Sequence, residues 1–115
     1  MSRDWRMFVE DMLHSAATAR QYAAGLTFDE LRRHGLPYDG IIRHLTIIGE
    51  AAKSVPQDVQ QRWAQVPWKR IVRFRDLATH HYFGLDDAVV WDILHNHLEA
   101  LESDLRALLT HETEL

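Results

Sequence analysis

The sequence predicts an all-α protein, an antiparallel bundle built from four long helices. Three observations carry this. Apolar residues recur every three or four positions along almost the whole chain. No segment shows the strict apolar–polar alternation of a half-buried strand. Glycines, prolines and capping residues fall between the periodic stretches and leave only short connections.

The elements follow in order. Trp5, Phe8, Met12, Ala16, Ala19 and Ala23 form the stripe of a first helix that should end near Gly25. Thr27 and Glu30 have the spacing of a capping box, which starts a short helix stopping around Gly35. Pro37 prevents that helix from continuing. Ile41, Leu45, Ile48, Ala52 and Val55 make a second long stripe, closed by Pro56, and a short turn or helix runs to Trp63. Pro67 suits a first helical position, with Ile71, Phe74 and Ala78 as the apolar face behind it. Gly84 is placed to end this helix in a left-handed cap. Asp86 caps a last helix whose stripe is Val90, Leu94, His97, Leu101, Leu105 and Leu108; Glu112 to Leu115 should fray.

The 115 residues are read as one domain, 1–115, with 46% apolar and 26% charged residues, the composition of a globular chain. With no cysteine, disulfides and thiolate zinc sites are excluded, which fits a cytoplasmic protein. Charges at Arg3, Asp4, Arg6, Glu10 and Asp11 break up any secretory signal core, and no apolar run spans a bilayer. A net charge of −4 argues against broad nonspecific binding to nucleic acid. The charge is uneven, however: Arg62, Lys69, Arg70, Arg73 and Arg75 fall in an acid-free run, where an anionic ligand should dock.

The chemistry concentrates in Phe74 to Gly84. Asp76 and His80 are four apart and stack on one helix face, so the carboxylate is placed to orient the imidazole. Arg75 and Tyr82 share a face two turns apart, whereas Arg75 and His80 differ by about 140° around the axis. The last two converge only if the arginine wraps round or a second subunit completes the site. A guanidinium suits phosphate and an imidazole shuttles protons near neutrality. Together they suffice to cleave RNA by attack of a 2′-hydroxyl on the adjacent phosphorus, without a metal. One histidine per chain is awkward for two proton transfers, and a symmetric dimer supplies two. The same residues also have a plainer reading: a surface ion pair, a histidine capping helix carbonyls and a core tyrosine.

Eight histidines invite a metal reading, but His80–His81 and His95–His97 have the wrong spacing to share a helix face, so no metal site is expected. His97, on the apolar stripe, reads as a core or interface residue. Trp91 reads as packing, and Trp68 stays open between packing and base stacking. Glu50 reads equally as a part-buried carboxylate facing the site or as a surface acid paired with Lys53 or Arg43.

The stretch resembles the Arg-x4-His-x-Tyr signature of the HEPN superfamily, in its HepT-like branch, with Arg75, His80 and Tyr82 at the three signature positions. The likeness extends through Arg43 to Ala52, Val66 to Val72, and Tyr82 to Asp86 with Val90 to Ile93, covering about Phe8 to Leu105. Asp76 stands where many relatives carry asparagine. The resemblance implies a four- to five-helix HEPN bundle that forms a homodimer and joins two motifs in one cleft. It implies a metal-independent ribonuclease, the toxin of a HepT/MntA-type (type VII) toxin–antitoxin pair. Arg75 and His80 would be catalytic with Asp76 in support, and Lys69, Arg70 and Arg73 would assist RNA binding. The implied partner is an MntA-like nucleotidyltransferase antitoxin that transfers AMP from ATP to Tyr82. No resident cofactor is implied. The alternatives are a non-catalytic RNA- or nucleotide-binding subunit of a minimal nucleotidyltransferase, and a purely structural dimerisation bundle.

Overall fold

The computed structural model describes residues 3–114, of which Glu114 is described in its backbone alone. All regular structure among the described residues is helical. There are seven α-helices, α1 (Trp5–Ala23), α2 (Phe28–Arg32), α3 (Leu36–Ala52), α4 (Gln57–Arg62), α5 (Trp68–His80), α6 (Asp87–Asn96) and α7 (Leu98–Glu114), with a 3-10 turn at Tyr82–Gly84. α1 packs on α3 and α7, and α3 packs on α5. The contact register is antiparallel. Ser15 meets His44 and Tyr22 meets Gly40 between α1 and α3, while Arg75 lies over Gly49 and Tyr82 reaches Asp39 between α5 and α3. The result is a HEPN-like helical bundle.

The predicted caps form: the Thr27–Glu30 box closes on both sides, and Asp86 accepts from the Ala88 N–H. Asp4, which the sequence reading did not single out as a cap, accepts from the Arg6 N–H at the start of α1. Each satisfies helix-end donors that otherwise lack partners. Gly25, at φ +76°, turns the chain after α1. At the end of α2 the left-handed residue is His34 (φ 53°), not the glycine after it. Its ring stacks on Tyr38 at 3.9 Å between centroids and its Nε2 bonds Asp87 at 2.8 Å, contacts that offset the backbone cost. The core runs through Val9, Met12, Leu31, Ile41, Leu105 and Leu108, all fully buried. Truncating any of these three leucines to alanine costs about 2–5 kcal/mol.

Five expectations are corrected. Pro67 is the N-cap residue of α5, one position before its first turn. α5 ends at His80 and not at Gly84: His81 takes φ −137°, and Gly84, with φ outside the left-handed region, closes a 3-10 turn. α3 stops at Ala52, so Val55 joins the core from the loop. The last helix is two helices, broken at His97, where Asp92 accepts from the side chains of both Asn96 and His97. That pairing draws His97 to the surface and away from the core role its place on the stripe suggested. Finally, α7 stays helical through Glu114, because Glu112 is buried and held by Arg62; Leu115 lies outside the described residues.

Candidate active site

Arg75 is seated by a helix–helix contact. α3 and α5 approach so closely at Gly49 that a Cβ there would lie 2.2 Å from the Arg75 Cβ and 3.0 Å from the Ile71 carbonyl oxygen. Only glycine permits this approach. The guanidinium then lies between two acids, with Nη2 2.8 Å from Glu50 Oε2 and Nη1 donating to Asp76 Oδ1 at 3.0 Å. Both carboxylates are open to solvent, at 60% and 51% side-chain exposure. Nε of Arg75 is buried, with no hydrogen-bond partner among the described residues.

Asp76 therefore takes Arg75, not His80 as its spacing suggested, and no hydrogen bond joins it to the imidazole among the described residues. His80 is exposed at the carboxy-terminal end of α5. Glu50 is exposed and faces the site, and its ion-pair partner is Arg75 in place of Lys53 or Arg43.

Tyr82 stands on the 3-10 turn, edge-on to Tyr38 and Phe83 at 6.1 and 5.2 Å. Its hydroxyl donates to Asp39 Oδ1 at 2.5 Å. This hydrogen bond, with burial and the Asp39 charge behind it, pushes the phenol up to about 12. Asp39 and Glu50 are eleven residues apart on α3, about 16 Å along its axis. One chain thus holds the two ends of the motif at separate points of α3.

The basic run divides. Arg62 is committed to Glu112 and Asp58, and Arg75 to Glu50 and Asp76. Lys69, Arg70 and Arg73 are exposed and make no ion pair among the described residues. Trp68 is buried, its indole N–H donating to the Trp63 carbonyl at 3.0 Å, which decides for packing over stacking. Trp91 packs edge-on to Phe28. Sequence reasoning missed Asp39 and the role of Gly49. Neither carries a local signal, because each matters only through the pairing of α3 with α5.

Beside α5 runs a groove of about 500 Å³ floored by Leu45, Ile48, Ile71, Phe74 and Leu101. Arg70 and Arg73 line it from α5, and Asp92 and Asp104 from α6 and α7. His80 follows Arg73 by seven residues, on the same side of α5 and one turn beyond Leu77, the last α5 residue to line the groove.

A helical bundle that carries arginine, histidine and tyrosine at this spacing around the end of one helix defines a HEPN-type protein. The sequence pattern described as "Ribonuclease HepT-like" matches residues 12–108, and the chain belongs to the HepT-like ribonuclease family. Relatives include a protein of Methanocaldococcus jannaschii named as a candidate RNase, 38% identical over 94 residues, covering 82% of this chain and 78% of that one. A protein of Thermococcus cleftensis named as a probable ribonuclease HepT is 28% identical over 108 residues, covering 94% and 98%. No solved structure gives a significant match.

Proposed function

We propose that the chain is an endoribonuclease toxin of a type VII toxin–antitoxin system, acting in the cytoplasm as a homodimer and without a metal. A nucleotidyltransferase antitoxin of the MntA kind neutralises it by transferring AMP to Tyr82. The observation that carries the reading is the state of Arg75. Its guanidinium is fixed at its base by the Gly49 contact, yet its charge is balanced only by solvent-exposed acids. A phosphodiester displaces such partners at little cost, since exposed pairs contribute at most about 1 kcal/mol. Family membership and the exposed His80 supply the rest: a proton shuttle beside a phosphate-binding group.

The dimer is favoured by the separation of Arg75, His80 and Tyr82 within one chain and by the groove beside α5. Its basic wall and acidic wall complement each other when a second copy is turned by a twofold axis. Docking there brings the His80-bearing stripe of α5 to the contact. No helix among the described residues is long and apolar enough to cross a membrane.

Purified protein should cleave RNA in the presence of EDTA, and His80→Ala should abolish cleavage while keeping the helical circular dichroism signal. Cleavage that requires added divalent cation contradicts the reading. The turn of Arg75 toward Glu50 and away from His80 favours a second reading, a non-catalytic subunit that only binds RNA or nucleotide. If Arg75→Glu loses the cellular effect while His80→Ala keeps it in full, binding is the function.

A further inference from the structure

Among the described residues Tyr82 has one polar partner, and it is a base. Asp39 lies in the first turn of α3, where its backbone N–H is taken by the Gly35 carbonyl at 3.1 Å. Its exposed carboxylate has no cation paired with it among the described residues, and its one side-chain hydrogen bond is to the Tyr82 hydroxyl. The phenol ring is held against Tyr38, which is itself buried and stacked on His34. The other titratable groups around it are spoken for or point elsewhere. His34 is bonded to Asp87, and Tyr38, His80 and His81 make no hydrogen bond to the phenol.

We propose that Asp39 is the general base for nucleotidyl transfer to Tyr82, a role that rests on reading Tyr82 as the AMP acceptor. In this step the Tyr82 oxygen attacks the α-phosphorus of a nucleoside triphosphate presented by the partner transferase. The new O–P bond forms as the bond from phosphorus to the bridging oxygen breaks. Pyrophosphate leaves with that electron pair, and the phenolic proton passes to Asp39 Oδ1. Because Asp39 is exposed, it then returns the proton to water.

The geometry gives the assignment a sign that a merely electrostatic role lacks. A carboxylate beside a phenol opposes free phenolate, since ionisation would place two negative charges together. It promotes reaction only by accepting the proton as the new bond forms. Removing the carboxylate without changing its shape therefore slows a base-assisted reaction and speeds one that proceeds through free phenolate.

Two arms test this. In the first, wild type, Asp39→Asn and Asp39→Glu are incubated with an MntA-like nucleotidyltransferase and MgATP, and the Tyr82 peptide is followed by mass spectrometry. Adenylylation should slow by about 100-fold in Asp39→Asn, with part of the rate restored in Asp39→Glu. In the second, without partner or nucleotide, Tyr82 is acetylated with N-acetylimidazole. Tyr22, half-exposed and without an acid partner among the described residues, serves as the internal reference and reports that the fold is kept. Wild-type Tyr82 should react at a rate nearly flat between about pH 6 and 9. In Asp39→Asn it should react more slowly at neutral pH and climb about tenfold per pH unit. Equal or faster reaction of Asp39→Asn in either arm overturns the base assignment. If wild-type Tyr82 stays unmodified in the first arm while the second behaves as expected, the failure belongs to Tyr82 as acceptor, and the proposal falls with it.

Discussion

Arg62 and Arg75 come from the same acid-free run, and the bundle uses them in opposite ways. Arg62 reaches Glu112, whose side chain is only 2% exposed, and ties α4 to the end of α7. Withdrawing the arginine would strand a buried carboxylate, so Arg62 is held in place by what it would leave behind. Arg75 is the reverse. Its partners Glu50 and Asp76 remain hydrated when it leaves them, while its own stem is the part packed against α3. An arginine whose partner is buried acts as a clamp, and one whose partners are exposed is available to a ligand. Counting basic residues does not separate the two; the burial of the partner does.

The largest effect should come from exchanging these roles. Arg75→Ala should lower RNA cleavage by about 100-fold or more, with little change in the urea midpoint of unfolding. Arg62→Ala should leave cleavage of folded protein intact and lower the midpoint. A cleavage assay run beside denaturation separates them, and equal behaviour of the two variants would erase the distinction.

Gly49→Ala comes next. The added Cβ must displace Arg75 or part α3 from α5, at a cost of about 1–3 kcal/mol. Cleavage should fall along with stability. Lost stability with full cleavage would mean that the seat of Arg75 does not govern the chemistry.

Smaller effects concern the exposed acids. Glu50→Gln and Asp76→Asn should each raise RNA affinity about two- to fivefold at low salt, because each removes a competitor for the Arg75 guanidinium. Asp58→Asn, at the exposed side of Arg62, should leave affinity unchanged. Filter binding across a salt series measures both.

The smallest effect lies at the other end of the motif. Tyr82 is raised to about 12, so its bond to Asp39 contributes stability in full below the ordinary phenol value of about 10 and loses it as pH rises through 12. Ultraviolet titration should show two late phenols, Tyr38 raised by burial and Tyr82 by its bond to Asp39, and Tyr82 should move down toward about 10 in Asp39→Asn. Tyr82→Phe should lack that loss of stability in alkali.

Much of the bundle was legible in the sequence because its signals are local. The Thr27–Glu30 box, the Asp86 cap, Gly25 and Pro56 each act within a turn or two of themselves. The break at His97 was not legible, because the apolar stripe runs unbroken through it and the cause is the side-chain pairing at Asp92. The end of α5 was misplaced for a related reason: Gly84 offered an obvious stop, but the chain bends at His81 to bring Tyr82 to Asp39. Within the candidate site, spacing singled out Arg75, His80 and Tyr82 as candidates. It assigned Asp76 to the wrong neighbour, because the arginine competes for that carboxylate. Gly49 and Asp39 were out of reach, since their roles depend on the register between two helices.

In the proposed dimer, guanidinium and imidazole groups from two chains share one cleft. Wild-type and His80→Ala chains, refolded together in varied ratios at constant total concentration, test it directly in EDTA. If each cleft needs both imidazoles, cleavage falls with the square of the wild-type fraction. A linear fall, each wild-type chain acting on its own, would contradict the account.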